Sequence, residues 1–212
     1  MVGGIDMIYV VKNKPYETED LSKYVDLYVG DMFNEDGRDN INHLNPYINE
    51  LTGLYDIWKN KSDKVVGMCH YRRFFVYKYH TLKFTDTTRL LKNAEIITLN
   101  NNGPLKLDEF LEQAITKPIY DKYIPKMPED FQKWLKEANS FNPCNMFVCR
   151  KELIDKYCEW MFPMIIPMAE QFVKEDLNGD FHHDRAIGYI GELLFGYWCK
   201  DLDRCNLEFR FV

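Results

Sequence analysis

Residues 64–75 read KVVGMCHYRRFF, and the fold predicted for the chain rests on them. A short apolar run ends in a histidine, a tyrosine and two arginines, and two phenylalanines follow. Open α/β sheets place their ligands where apolar strands end in such polar side chains. Two guanidinium groups there match the oxygens of a phosphate or a carboxylate. The residues alone leave two interpretations open, an anion site and a pair of surface arginines.

Further apolar runs of strand length lie on both sides of this segment. The predicted strands are residues 7–11, 24–29, 65–69, 95–99 and 144–149. The predicted helices are residues 45–60, 87–92, 151–162 and 185–200, with a mostly helical region over 105–139 that prolines interrupt. Alternating strands and helices favour a parallel sheet covered on both faces. We therefore predict an α/β fold with one domain over residues 1–212, a doubly wound, mostly parallel sheet flanked by helices. These residues are either a whole protein or the amino-terminal part of a longer one.

Charge and cysteine content narrow the class of protein. The net charge of −6 argues against non-specific nucleic-acid binding, because that binding needs a basic face. The six cysteines stand singly in mostly apolar surroundings, which indicates free thiols in a reducing compartment and no zinc site. We find no signal-peptide pattern and no apolar run of about 20 residues. The expectation is a cytoplasmic protein, in the host cytoplasm if viral, without a transmembrane segment.

Motifs of several enzyme classes are absent, since the sequence has no GxGxxG, GxxxxGK[ST] or GxSxG pattern. The polar loop DGRDNIN precedes the helix predicted over 45–60. Asp39 and Asn40 in this loop can read the edge of a base or a ribose. The alternative is a solvated turn that leads into the helix.

Two imidazoles and a carboxylate stand before the last predicted helix, at His182, His183 and Asp184. Such a cluster can bind a metal ion or act as acid and base. The alternative is that Asp184 caps the helix and the histidines are loop residues.

Three more polar residues stand in apolar surroundings. Glu192 lies among apolar residues of the last helix, and a buried carboxylate needs a cationic or hydrogen-bonding partner. Asn142 and Asn145 flank a proline before an apolar strand, where side-chain amides can donate to and accept from sugar hydroxyls. Ordinary turn residues are the alternative for the two asparagines.

Two blocks of sequence, NPYINELTGLYDIWKN at 45–60 and VVGMCHYRRFF at 65–75, resemble a family of glycosyltransferase-like proteins of capsular and exopolysaccharide synthesis. The family pattern is approximately DNIS..N..Y.ELTALYWIWKN, followed by GL.HYRRYF. The similarity extends to YVVKNKPY at 9–16, to NMFVCRKE at 145–152 and to RAIGYIGELLFGYW at 185–198. Length and aromatic content also resemble a glycosyltransferase domain of chlorella viruses that builds capsid glycans.

The resemblance implies a GT-A glycosyltransferase that takes a UDP-sugar donor and a glycan acceptor in capsule or capsid glycosylation. The implied donor-binding residues are Val11, Lys12, Lys14, Asp39, Asn40, His70, Tyr71, Arg72 and Arg73. Asn142, Asn145 and Arg185 are expected at the sugar or the acceptor. The expected catalytic residues are Glu192, Asp184 and Arg72.

One departure from the wider GT-A pattern concerns the metal ion. Most GT-A enzymes hold Mn²⁺ or Mg²⁺ on an Asp-x-Asp pair after the strand that corresponds to residues 65–69, and this sequence has HYR there. Either Arg72 and Arg73 neutralise the diphosphate themselves, or His70 holds a metal ion with His182 or His183. No organic cofactor is expected beyond the nucleotide sugar.

The sequence therefore predicts a glycosyltransferase of the hexosyltransferase type. A non-catalytic module that binds nucleotide sugars is the main alternative, and a metal hydrolase built on residues 182–184 is a third. Inversion at the sugar carbon needs a base, for which Glu192 and Asp184 are the candidates, and retention needs none.

Overall fold

The computed structural model describes residues 6–16, 21–34, 37–101, 103–175 and 184–211, which form eight strands and eight α-helices. The strands are β1 Met7–Lys12, β2 Tyr24–Tyr28, β3 Val65–His70, β4 Arg73–Tyr77, β5 His80–Thr81, β6 Ile96–Leu99, β7 Phe147–Arg150 and β8 Arg204–Phe211. The helices are α1 Asn45–Ile48, α2 Leu51–Asn60, α3 Phe84–Leu90, α4 Leu107–Ile115, α5 Lys117–Tyr123, α6 Glu129–Glu137, α7 Lys151–Lys174 and α8 Ala186–Cys199.

Five strands form a closed ring in which β3, β7, β6, β8 and β4 are neighbours in that order. The pair of His70 and Arg73 joins β4 back to β3. Within the ring β6 and β8 run parallel, and the other neighbours run antiparallel. Outside the ring, β1 and β2 continue in parallel from β3, and β5 pairs with β4. The architecture is a small mixed barrel with extra strands and helices.

The barrel shows that the predicted doubly wound, mostly parallel sheet was wrong. The chain turns back directly after His70, and Phe74 and Phe75 belong to a strand in which both side chains are buried. β7 then runs antiparallel between β3 and β6, and β8 enters the sheet between β6 and β4. Alternation of strands and helices predicts the elements but not the direction or the order of the strands.

Each face of the sheet has its own hydrophobic core. The larger core lies between the sheet and the helices and includes Leu51 and Leu54 of α2 and Leu194 of α8. The smaller core lies on the face that the ring encloses, and its members are Ile8, Cys69, Phe75, Leu82, Ile97, Leu99, Met146, Val148 and Leu207. Gly67 faces this interior, since a Cβ there would lie 2.9 Å from Val148.

Three helices differ from their predicted extents. Helix α3 spans Phe84–Leu90, whereas the prediction placed it over 87–92. The helix predicted over 45–60 is two helices, because Asn49 adopts a left-handed conformation with φ of 52°. Helix α7 runs on to Lys174 through Pro163 and Pro167, although the prediction ended it at 162. Both prolines are exposed, and the packing of the buried face outweighs the hydrogen bonds they remove. No helix in the described ranges is long and apolar enough to cross a membrane.

Gly30 and Gly37 both have positive φ, but only at Gly30 would a side chain also collide with a neighbouring residue. Gly30 has φ of 59° and Gly37 has φ of 79°. A Cβ at Gly30 would lie 2.5 Å from Oδ1 of Asn45, whereas a Cβ at Gly37 would meet nothing within 4 Å. We expect Gly37→Ala to lower the free energy of unfolding by about 1 kcal/mol, from backbone strain alone. Gly30→Ala should lower it by the same strain and by ~1–3 kcal/mol more from the collision with Asn45. Urea denaturation of both variants measures the difference, and equal losses would contradict the predicted collision.

Candidate functional site

Arg72 and Arg73 are held in fixed positions at the turn between β3 and β4. The Arg72 guanidinium lies 5.0 Å from the ring centroid of Tyr71, and that ring lies 4.4 Å from the ring of Tyr16. Nη1 of Arg73 donates to Nδ1 of His70 over 3.0 Å. Two adjacent cationic groups are therefore positioned before any ligand arrives.

A cleft of about 330 Å³ opens beside this turn. Its walls come from the end of β1, the break between α1 and α2, the β3–β4 turn, the turn before β7 and the first half of α8. Three arginines, Arg72, Arg73 and Arg185, line it together with two glutamates, Glu50 and Glu192. A cleft that contains both cations and carboxylates suits a ligand that carries both an anion and hydroxyl groups.

The break between α1 and α2 carries Glu50 into the cleft. The side chain of Asn45 supports the break, because its Nδ2 donates to the carbonyl of Asn49 over 3.0 Å and to Oγ1 of Thr52 over 2.8 Å. Gly188 of α8 allows the close approach, since a Cβ there would lie 2.6 Å from Nδ2 of Asn49. Glu50 then stands at the N-terminus of α2 with its side chain 16% exposed.

A strained turn before β7 holds both carboxylates. Cys144 and Asn145 have φ of 72° and 48°, which non-glycine residues seldom adopt. The backbone N–H of Cys144 donates to Oε1 of Glu192 over 2.9 Å, and Nδ2 of Asn145 donates to Oε1 of Glu50 over 2.8 Å. Such strain persists where the surrounding structure fixes it, and functional sites are common places for it.

The two carboxylates have different environments. Burial, and then the charge of Glu50, raise the pKa of Glu192 to about 7 against the opposing effects of the Cys144 N–H and Arg73. A carboxyl group with a pKa near neutrality is suited to exchange protons under physiological conditions. Burial also raises the pKa of the Cys144 thiol to about 12, so that this thiol stays protonated and is a poor nucleophile.

His70 is neutral in this site. Burial lowers its pKa, while Glu50 raises it and the two neighbouring arginines lower it. A guanidinium only donates hydrogen bonds, so Nδ1 of His70 accepts from Arg73 and the proton of the neutral ring is on Nε2. Nε2 lies 3.8 Å from Oε1 of Glu50 and is buried without a hydrogen-bond partner.

The structure brings to one cleft residues from each predicted group, which are the donor-binding, the sugar- or acceptor-binding, the catalytic and the metal-binding residues. The predicted residues that line the cleft are Val11, His70, Tyr71, Arg72, Arg73, Arg185 and Glu192. They come from parts of the chain that are far apart in the sequence, and the β3–β4 turn faces the first half of α8 across the cleft.

Four predicted donor-binding residues lie away from the cleft. Lys12 is buried, and its Nζ lies 2.7 Å from a carboxylate oxygen of Asp26. Lys14 is exposed. Asp39 accepts from the hydroxyl of Tyr55 over 3.1 Å, and Oδ1 of Asn40 accepts from the next turn of its own loop. The polar groups of this loop thus serve local hydrogen bonds.

The remaining predicted residues lie in three settings. Asn142 is fully buried, where it donates to the Leu99 carbonyl and accepts from Arg204. Asn145 donates to Glu50, and Asp184 precedes helix α8. Neither Asn145 nor Asp184 is among the residues that line the cleft. His182 and His183 lie outside the described residues.

Several residues at the cleft were missed from the sequence. A continuous helix over residues 45–60 would place Glu50 at a polar edge, where a surface charge is the expected interpretation. The dipeptide Asn49–Glu50 was the available signal, since asparagine tolerates left-handed backbone and starts helices. Asn13, whose Oδ1 is buried without a partner, and Tyr189 also line the cleft, and no pattern in the sequence distinguishes them.

The described residues at the cleft do not form a metal site. No group of three or more His, Cys, Asp or Glu residues within the described ranges is arranged to hold a metal ion. Cationic guanidinium groups occupy the turn after β3, and guanidinium groups have no acceptor for a metal. The described donor set therefore does not fit Mn²⁺ or Mg²⁺ at this turn.

Comparison with known proteins identifies one matching family and one solved structure with a similar fold. The apo structure of WbbM, a bifunctional glycosyltransferase, matches with a TM-score of 0.72 and 22% sequence identity, over 98% of this chain and 45% of that one. The chain therefore spans less than half of that protein, and the match shows a shared fold. No curated protein matches the chain. The family described as "Domain of unknown function (DUF4422)" matches residues 7–203. The chain belongs to the DUF4422 family.

Proposed function

We propose that this chain is a glycosyltransferase that moves a sugar from a nucleoside diphosphate sugar, most simply a UDP-sugar, to a glycan acceptor. One observation carries the proposal: the cations Arg72 and Arg73 line the same cleft as the carboxylates Glu50 and Glu192. The fold that the chain shares with a bifunctional glycosyltransferase supports it. The sequence resemblance supports a reaction in polysaccharide or glycoprotein glycan synthesis.

Arg72 and Arg73 bind the diphosphate in this proposal. Negative charge develops on the leaving diphosphate as its bond to the sugar breaks, and cations positioned in advance stabilise that charge most effectively. Arg72 is exposed and stacked on Tyr71, so it can reach a ligand that enters from solvent. Arg73 lies deeper, and its hydrogen bond to His70 fixes its direction.

Glu192 is the base in this proposal. The acceptor oxygen forms a bond to the sugar carbon, the bond from that carbon to the diphosphate breaks with its electron pair on the phosphate oxygen, and the acceptor proton passes to Glu192. This direct displacement inverts the configuration of the sugar carbon. Glu192 is preferred to Asp184 because Glu192 lines the cleft.

The first prediction concerns donor affinity. Arg72→Ala and Arg73→Ala should each weaken binding of a UDP-sugar by about 10–100-fold, because each removes charge-assisted hydrogen bonds of ~1.5–3 kcal/mol. Arg150→Ala is the control, since Arg150 is exposed at the opposite end of β7 and does not line this cleft. Isothermal titration calorimetry measures all three variants. Unchanged affinity in both arginine variants would show that the pair does not bind the donor.

The second prediction concerns metal ions. Because arginines supply the positive charge, donor binding and transfer should persist in EDTA to within about two-fold. The measurement compares calorimetry and turnover before and after chelation, with Mn²⁺ added back. Loss of binding that Mn²⁺ restores would contradict the arginine mechanism and favour a metal ion held with residues outside the described ranges.

The third prediction separates chemistry from binding. Glu192→Gln should lower transfer by about 10²–10⁴-fold, which is the usual contribution of a general base. Donor affinity should stay within a few-fold, because the amide oxygen still accepts from Cys144. Glu159→Gln, on the exposed face of α7, is the control. If the unaltered protein binds UDP-sugars but transfers no sugar to any glycan acceptor, the protein is a binding module and the enzyme proposal fails.

A further inference from the structure

Glu50 and Glu192 reach the cleft from two different helices and end at the same short turn. Consecutive residues, Cys144 and Asn145, each donate one hydrogen bond to one of the two carboxylates. Each bond uses one oxygen of its carboxylate. For the second oxygen of each glutamate, the described part of the chain supplies no hydrogen-bond donor. Both carboxylates thus keep an oxygen for a ligand or a proton.

We propose that Glu50 and Glu192 act as one acid–base unit, in which Glu50 carries the negative charge and Glu192 exchanges the proton with an acceptor hydroxyl. The proton transfer rests on the proposed function, whereas the electrostatic link between the two carboxylates does not. Glu50 is a positioning residue in this unit, because it acts on the substrate through Glu192.

The assignment of charge follows from the surroundings of each group. Glu50 accepts from an uncharged amide and lies 3.8 Å from the ring nitrogen of His70 that carries a proton. Burial is the largest cause that raises the pKa of Glu192, and the charge of Glu50 is the next. Two like charges in one enclosed site do not ionise equally. The proton therefore resides on Glu192 more readily than on Glu50.

Other charged and titratable groups around Glu192 set the balance. Arg73 and the Cys144 N–H favour the ionised form of Glu192, and burial and Glu50 favour the protonated form. The other charged or titratable groups that line the cleft with Glu50 and Glu192 are His70, Tyr71, Arg72, Arg73, Cys144, Arg185 and Tyr189. From α7, the hydroxyl of Tyr157 donates to the carbonyl of Gly191, the residue before Glu192. Among all these groups, Glu50 is the group whose negative charge opposes ionisation of Glu192.

A titration tests the unit without any substrate. The side-chain carboxyl carbon of Glu192, assigned by ¹³C NMR through its absence in Glu192→Gln, should titrate with a midpoint near 7. In Glu50→Gln the midpoint should fall by about one pH unit, because the like charge is gone while the amide oxygen still accepts from Asn145. Glu159→Gln should leave the midpoint unchanged. A midpoint near 4.5 in the unaltered protein, or no shift in Glu50→Gln, would overturn the proposal.

The pH dependence of transfer tests the catalytic half of the unit. The acidic limb of kcat/KM should follow the NMR midpoint and move to lower pH by the same amount in Glu50→Gln. A purely structural role for Glu50 would lower activity at all pH values and leave the limb in place, which would count against the unit. If the titration behaves as expected but no nucleotide sugar binds, the carboxylate link stands and the glycosyltransferase function fails.

Discussion

Arg73 donates to Nδ1 of His70 across the residue pair that joins β4 to β3 in the described chain. This pair closes the ring of five strands, and only Tyr71 and Arg72 lie between its two members. Arg72 in this turn is exposed, and its guanidinium lies over the ring of Tyr71. The turn that closes the barrel therefore also carries the two adjacent arginines of the cleft. A change that opened the turn would remove Phe75 from the barrel interior and the arginines from the cleft together.

The carboxylates of the cleft, Glu50 and Glu192, are positioned by strained backbone and not by the closure of the barrel. Left-handed backbone at Asn49 carries Glu50 out of the helical path, and left-handed backbone at Cys144 and Asn145 directs donors at Glu50 and Glu192. Each such residue costs about 1–3 kcal/mol unless its surroundings compensate. At Asn49, the hydrogen bonds of Asn45 and the close approach of α8 at Gly188 provide that compensation. The strained segments thus bring two carboxylates to the cleft that Arg72 and Arg73 also line.

Local patterns predicted the elements of this fold better than their arrangement. Residues 65–69 form the interior of a buried strand, as their apolar run indicated, and the last helix lies within one residue of its predicted ends. The barrel could not be predicted in this way, because β8 reaches its place between β6 and β4 through contacts that are distant in the sequence. Helix α7 shows the same limit, since the buried face beyond residue 162 outweighs two prolines that locally end a helix.

The candidate site was recognisable where a residue conflicts with its surroundings. Arg72 was predicted as a site residue because it follows an apolar run, and Glu192 because it interrupts one. Both line the cleft. Glu50 did not stand out, because the helical pattern around it is regular until Asn49 breaks it. Asn142 stood out for the same reason as Glu192, yet its hydrogen bonds to Leu99 and Arg204 are structural. A polar residue in an apolar run thus indicates a buried hydrogen-bonding group. Only the structure shows whether that group lines a cleft, as Glu192 does, or stabilises the fold, as Asn142 does.

The net charge of −6 bears on the proposal that the cleft binds an anionic donor. At a distance the protein repels such a ligand, but charges separated by more than ~8 Å are largely screened at physiological ionic strength. In the proposed function, contacts at hydrogen-bond distance with Arg72 and Arg73 are screened less, because the distances are far shorter than this screening length. Donor affinity should therefore come from the contact pair and not from long-range attraction. Added salt then weakens the repulsion and the contacts together, so affinity should depend less on ionic strength than it does in proteins with a broad basic face.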